Sequence, residues 1–335
     1  MGLAAYFRLA RAGFVLAREG ALSIVDNDAL PPSLRFGISV GRLFERGSVK
    51  RTGRVERLTR ALNRLGPTYV KFGQTLGTRP DIVGIDVAAD LSALQDKMEP
   101  FDPSLVPGLL IEALHERAAD LKELSAPIAA ASIAQVHKAT LDDRNGKRTV
   151  AVKILRPGIQ KRFRADLESY YAGARLAERF ARELRRLRPI DVVKTLDRSA
   201  RLELDLRLEA AAISEFKENI AKDEGFVVPD VSWDHTAETV LTTTWVEGIP
   251  IRDLAALDAA GLDRKELARK LLQSFLRHAI RDGFFHADMH PGNLFADPKT
   301  GTSSPSISAS WGASRVPSGG SSPTFFSASS PATTG

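Results

Sequence analysis

Residues 283–296 read Gly283-Phe-Phe-His-Ala-Asp288-Met-His290-Pro-Gly-Asn293-Leu-Phe-Ala296. An Asp and an Asn stand five residues apart between apolar residues, and Pro291-Gly292 turns the loop so that both side chains converge. At this spacing a carboxylate can accept a proton while a carboxamide holds a metal ion on phosphate oxygens. His286 and His290 invite a zinc reading, but the chain has no Cys and no His-Glu-x-x-His pattern, so a magnesium nucleotide is the better match. After Gly301 the character changes: residues 302–335 hold twelve serines and a single charged residue, Arg315.

The 335 residues suffice for one or two sizeable cores, and 43% hydrophobic with 26% charged residues is ordinary for a globular protein. Zero cysteines exclude a disulfide framework, thiolate metal sites and a cysteine nucleophile, and fit a cytoplasmic location. The formal charge of +6 favours anionic partners. No run of about 18 uncharged apolar residues is present to span a bilayer. The N-terminus superficially suggests a signal peptide, but Arg11 and Arg18 bracket too short an apolar core. An amphipathic helix is expected there, with Arg8, Arg11 and Arg18 on or near one side. It reads either as an ordinary surface helix or as a membrane-surface anchor. Arginines at 42, 46, 51, 54, 57, 60 and 64 continue the basic character, yet no nucleic-acid-binding pattern accompanies them.

Residues 1–120 read as mostly helical. Leu58, Ala61, Leu62 and Leu65 form an apolar stripe closed by Gly66-Pro67, and Pro67 suits the first turn of the next helix. Further helices are expected over 87–95 and 103–124. From Ser125 the pattern becomes β-like: Val136–Leu141 and Thr149–Leu155 are strands joined by the turn Asp142–Gly146. Charged helices follow over 167–187 and 191–220, then strands at 226–228 and 238–246, then a helix over 264–281 with the spacing of a buried face. Strands interrupted by helices argue for an α+β fold.

Lys153 ends the apolar strand Val-Ala-Val-Lys, which can project an ammonium inward to meet phosphate oxygens; alone, the same pattern describes an ordinary edge lysine. A buried ammonium needs an anionic partner, which Glu209 would supply. The preceding stretch, Ala129-Ala130-Ala131-Ser132-Ile133-Ala134-Gln135-Val136-His137, occupies the place of a Gly-rich phosphate loop in kinase order; read alone, an alanine-rich run is plain helix. Lys71 and Gln74 share one helix face. Glu203, Asp205 and Glu209 form an acidic cluster; on one continuous helix Glu203 and Glu209 would lie roughly 240° apart and serve different partners.

In this order the motifs resemble the UbiB family of atypical protein-kinase-like proteins, linked to ubiquinone biosynthesis, over roughly residues 30–300. The resemblance implies a protein-kinase-like α+β fold with an N-terminal helical extension and an incomplete C-terminal lobe. It divides the chain into a basic helical region (1–60), a helical extension (61–124), an N-lobe with inserted helices (125–247), the start of a C-lobe (248–300) and a disordered Ser-rich tail (301–335). By the same comparison, Ala129–His137 replaces the Gly-rich loop and, with Lys153, Glu209 and the hinge residues Thr244 and Val246, binds the nucleotide. Asp288 is the catalytic aspartate beside Lys153, and Asn293 is the metal ligand. Lys71 and Gln74, with Glu203 and Asp205 as their acidic counterpart, regulate the site and obstruct a peptide substrate. The implied cofactors are ATP and Mg. The implied partners are a quinone-precursor lipid, quinone-biosynthesis enzymes and the inner face of the cell membrane, touched peripherally, with no nucleic acid.

The chain departs from this pattern where an Asp-Phe-Gly segment should follow Asn293. Advancing the reading frame by two nucleotides turns serine TCN codons into NTC, which encodes Leu, Ile, Val or Phe. Thr302–Ser314 can be encoded so that this frame reads Leu-Val-Ala-Ile-Asp-Phe-Gly-Ile-Met-Gly-Arg-Leu. The tail is thus compatible with a frame-shifted continuation, the expected reading; the alternative is a genuine low-complexity, Ser-rich tail. The expectation is an ATPase or phosphotransferase weakened by loss of that segment; the alternative is a catalytically inactive nucleotide-binding scaffold for a quinone-biosynthesis complex.

Overall fold

The computed structural model describes residues 2–24, 32–47, 53–92, 98–180, 182–223, 225–286, 294–298, 303–305 and 313–315. Six helices come first: α1 (Leu3–Arg18), α2 (Pro32–Arg42), α3 (Arg54–Leu65), α4 (Pro67–Gly77), α5 (Pro80–Val83) and α6 (Ile85–Ser92). Gly66 separates α3 from α4 at φ 105°, ψ −173°, a conformation that suits glycine, and Pro67 opens α4. The expected apolar stripe is buried: Leu58, Ala61, Leu62 and Leu65 join the main core.

α7 (Val106–Leu114) leads into β1 (Leu121–Lys122), β2 (Ala129–Ala130), β3 (Ala134–Asp143) and β4 (Gly146–Leu155). α8 (Ile159–Phe180), α9 (Pro189–Glu203) and α10 (Leu206–Asn219) intervene before β5 (Val240–Thr244). The sheet is antiparallel with order β1-β3-β4-β5, and β2 pairs with β3. Its two faces feed different cores. Val150, Val152 and Ile154 pack with Val106 and Leu110 of α7, whereas Leu155 belongs to the larger core with α8, α9 and α10.

β6 (Ile249–Pro250), α11 (Leu254–Ala259), α12 (Arg264–Arg277), β7 (Phe284–His286), β8 (Leu294–Ala296), β9 (Ser303–Pro305) and β10 (Ala313–Arg315) complete the described elements. β8 lies between β6 and β9, and β10 pairs with β7, all antiparallel. A π-turn, His278–Asp282, joins α12 to β7. On α12 Leu267 is buried, while Leu272 and Leu276 are exposed, as is Ile280 in the π-turn.

Four expectations change. The single helix over 191–220 is two helices, because the Asp205 carboxylate accepts the Arg207 N–H and caps a new start. The wheel argument separating Glu203 from Glu209 therefore does not apply. The 103–124 segment is helical only in part, turning through short 3₁₀ segments on either side of α7 before entering β1. Phe226 and Val228 form no named strand, yet both are buried in the main core. The 167–187 helix starts earlier, at Ile159, and its end is a 3₁₀ segment, Arg182–Leu187.

Candidate active site

Strand alternation decides which side chains meet. In β4, Ala151, Lys153 and Leu155 share one face, and in the ladder Lys153 stands opposite Val136 of β3 and Leu241 of β5. That face looks toward α10. Asp205 caps α10, which sets Glu209 one turn into the helix and inward. The Lys153 ammonium donates to both Glu209 oxygens, at 2.8 and 2.7 Å, and the two side chains are 1% and 7% exposed. Burial pushes the Glu209 carboxyl above its ordinary range, the Lys153 ammonium opposes that push, and the nearby Glu203 carboxylate adds to it.

Glu203, the last residue of α9, binds Lys71 of α4 at 2.7 Å. Two ion pairs, Lys71–Glu203 and Lys153–Glu209, thus lie on either side of the α9–α10 junction. Asp205 does not join them; it pairs with Arg207 at 2.9 and 2.8 Å while capping α10. Gln74 is half-buried one turn beyond Lys71.

The alanine-rich stretch is extended. Ala129 and Ala130 pair with Val136 and Gln135, and the Ala131 N–H donates to Ala134 O at 2.8 Å, closing a tight turn around buried Ser132 and Ile133. Arg156 fastens this turn: its guanidinium donates to Ala131 O at 3.1 and 3.0 Å and to Glu99 O at 2.7 Å. Sequence reasoning passed over Arg156, whose partners are backbone carbonyls distant in sequence and leave no motif.

Gln135 and His137 face away from Lys153, being opposite Ile154 and Val152 in the ladder. They form a closed chain of hydrogen bonds. Phe101 N–H donates to Gln135 Oε1 at 3.1 Å, so Gln135 Nε2 faces His137 Nε2 at 2.9 Å, and His137 Nδ1 bonds Ser125 O at 2.8 Å. An amide NH₂ only donates, so His137 Nε2 accepts and Nδ1 carries the proton.

At the end of β5, the Thr244 hydroxyl accepts the Asp230 N–H at 2.9 Å, and Trp245 N–H donates to Thr149 O at 3.1 Å. Lys138 lies 4.9 Å above the Trp245 ring, and Val246 is half-buried. Asp288 and Asn293 lie outside the described residues, as do His290 and the Pro291-Gly292 turn. β7 ends just before that segment and β8 begins directly after it. Among the described residues no group of three or more metal-ligating side chains converges.

The ABC1 atypical kinase-like domain matches residues 93–309. The chain belongs to this family. Its α+β fold is accordingly kinase-like, with β4 and α10 supplying the paired lysine and glutamate. It is similar to the Probable protein kinase UbiB of Marinobacter nauticus, with 40% identity over 294 residues, 87% of this chain and 53% of that protein. The Probable protein kinase UbiB of Xanthomonas euvesicatoria is 45% identical over 246 residues, 72% of this chain and 44% of that one. A solved structure, the complex of Rv3197 with erythromycin from Mycobacterium tuberculosis, is 31% identical with a TM-score of 0.49, covering 70% of this chain and 58% of that one. The chain spans about half the length of the curated relatives it matches.

Proposed function

We propose that this chain binds ATP with Mg and serves ubiquinone biosynthesis as an atypical kinase-like ATPase or phosphotransferase. The observation that carries the reading is the buried, two-pronged Lys153–Glu209 pair. Holding an ammonium in a dry core is costly, which makes a buried, paired lysine of this kind a functional-site candidate, here for an anionic ligand. In this reading Lys153 meets the phosphates, Ala129–His137 covers them through backbone N–H groups, and Thr244 and Val246 flank the base. Asp288 accepts the proton and Asn293 holds Mg. Lys71, Gln74, Glu203 and Asp205 regulate access, with the Lys71–Glu203 bridge as latch.

Peripheral membrane contact is part of the proposal. It draws support from α1, where Leu3, Phe7 and Phe14 are exposed beside the exposed Arg11 and Arg18. Turnover by this chain is expected to be weak, since Asp297 is the one carboxylate in residues 294–335 and no Asp-Phe-Gly segment is present. That same feature favours a second reading, a nucleotide-binding scaffold for quinone-biosynthesis enzymes.

A fluorescent ADP analogue titrated with and without Mg tests the site. The expected result is saturable binding that falls at least tenfold in the Lys153→Met/Glu209→Leu double variant, which removes the phosphate-binding cation without stranding a charge. Absence of binding, or equal binding by that folded variant, would sink the proposal. ATP hydrolysis well above background that is lost in Asp288→Asn would overturn the expectation of weak turnover.

A further inference from the structure

The Ala-rich turn over residues 129–134 is tied down from three directions. Along β4, the Arg156 backbone N–H donates to Ile133 O at 2.8 Å. From the side, the Arg156 guanidinium forks onto Ala131 O at 3.1 and 3.0 Å. From the connection ahead of α7, Met98 N–H donates to Ala130 O at 3.1 Å, and the same guanidinium reaches Glu99 O at 2.7 Å. Arg156 therefore joins the turn to residues 98–101, a segment also bonded to β3 where Phe101 N–H meets Gln135 Oε1.

The direction of this pull bears on the site. Ile133 is buried in the main core together with Leu155, from the Lys153 face of β4, and with Leu206 and Ala210, which flank Glu209 on α10. The turn is thus drawn inward on the side of the sheet where the Lys153–Glu209 pair lies, and that pair is closed off from water. Glycines let a phosphate loop flex by itself. Here Ala129, Ala130, Ala131 and Ser132 all carry Cβ atoms, so the movement of the turn depends on what fastens it.

From this arrangement we infer that Arg156 is a positioning residue that holds the Ala-rich turn shut over the Lys153–Glu209 pair, and that its release sets the rate at which a nucleotide's phosphates reach Lys153. The inference rests on the nucleotide site proposed above and adds its regulation. The free chain populates the closed turn and the nucleotide-bound chain the open one. Apparent affinity is then the intrinsic affinity scaled by the fraction of chains that are open. A guanidinium donates charge-assisted hydrogen bonds, stronger than neutral ones, so losing them raises that fraction.

The full chain carrying Arg156→Gln or Arg156→Lys tests this, with circular dichroism and urea unfolding as the check on folding. The first readout needs no ligand: amide hydrogen exchange over residues 128–136, followed by mass spectrometry. Arg156→Gln is expected to exchange at least about tenfold faster there, and Arg156→Lys, which keeps the charge without the fork, to fall between it and wild type. The second readout is stopped-flow binding of a fluorescent ADP analogue with Mg. Association with Arg156→Gln is expected to be at least about tenfold faster and dissociation to change less than about threefold, so that Kd falls about tenfold. A merely structural role would leave association unchanged or weaken binding. Should Arg156→Gln not fold, Arg156→Lys decides both readouts, with an expected gain of at least about threefold in each. Unchanged exchange at the turn, or faster exchange with unchanged association, overturns the inference and leaves nucleotide binding standing. Binding by neither wild type nor the folded variants overturns the nucleotide reading, and this inference with it.

Discussion

The Lys153–Glu209 pair yields a prediction whose size follows from its burial. With side chains 1% and 7% exposed, neither charge keeps appreciable contact with water. Removing one partner from such a pair typically costs about 3–5 kcal/mol, whereas replacing both with apolar residues is neutral or stabilising by about 1–4 kcal/mol. Lys153→Met and Glu209→Leu are therefore each expected to lose about 3–5 kcal/mol, and the double variant to recover most of it. The cycle should give a coupling of at least about 3 kcal/mol. The pH dependence of Lys153→Met has a definite sign. Burial already holds the Glu209 carboxyl above its ordinary range, and the ammonium is what opposes this. Without it the folded-state pKa rises further above the unfolded value, so the folded state keeps the extra proton. The variant retains its stability below the ordinary carboxylate range and loses it as pH rises through the raised folded value. Urea unfolding followed by circular dichroism at pH 5 and pH 8 reads both effects. Double-variant losses equal to the sum of the singles, or a Lys153→Met variant more stable at pH 8 than at pH 5, would refute the reasoning.

Two further perturbations test how the elements are fastened. Asp223 binds Arg281 through both oxygens at 2.8 Å and lies 3.4 Å from Arg277 and 3.3 Å from the His278 ring, with Asp282 facing the same arginine. The Arg281 hydrogen bonds, then Arg281, Arg277 and His278 as charges, hold the Asp223 carboxyl below its ordinary range. That stabilisation is present above the unfolded carboxylate pKa of about 4 and is lost as pH falls through the folded value. Burial also lowers the His278 pKa, with Asp223 opposing, so acidification below about pH 6.5 costs stability there too. Asp223→Asn should cost about 1.5–3 kcal/mol at pH 7, flatten the carboxylate window and deepen the histidine one; a pH–stability profile parallel to wild type contradicts this. At Gly66, a Cβ would run into the Arg162 guanidinium that donates to Leu65 O at 2.6 Å, on a backbone at φ 105°. Gly66→Ala is expected to lose at least about 2 kcal/mol in thermal unfolding, and an unchanged Tm refutes the assignment.

The parts of this fold that were legible from sequence are those governed by local periodicity. The α3 stripe, the Gly66-Pro67 break and the β3–β4 hairpin all follow from spacing and from turn residues, with Gly146 at φ 92° ending the hairpin turn. What escaped depended on contacts between distant segments. The break between α9 and α10 hides inside an acidic, strongly helical run, because a capping Asp looks like any other member of such a run. It becomes visible only when Leu206 N–H is seen to bond Glu238 O beside β5. Arg156 escaped for the same reason, its carbonyl partners lying 25 and 57 residues away.

The facing of Gln135 and His137 is a different case, since sequence already contained the means to decide it. A two-residue connection, Arg144-Asn145, pairs Asp143 with Gly146 and fixes every later pair in the ladder, so Lys153 must stand opposite Val136. Side chains alternate along a strand, so the even-numbered residues of β3 share Lys153's face and the odd-numbered ones take the other. Gln135 and His137 are odd, and they brace Ser125 and Phe101 on the α7 side. On the Lys153 face this part of β3 therefore presents only Ala134 and Val136, and no polar side chain. The Gln135 and His137 side chains, on the other face, tie that backbone to Phe101 and Ser125.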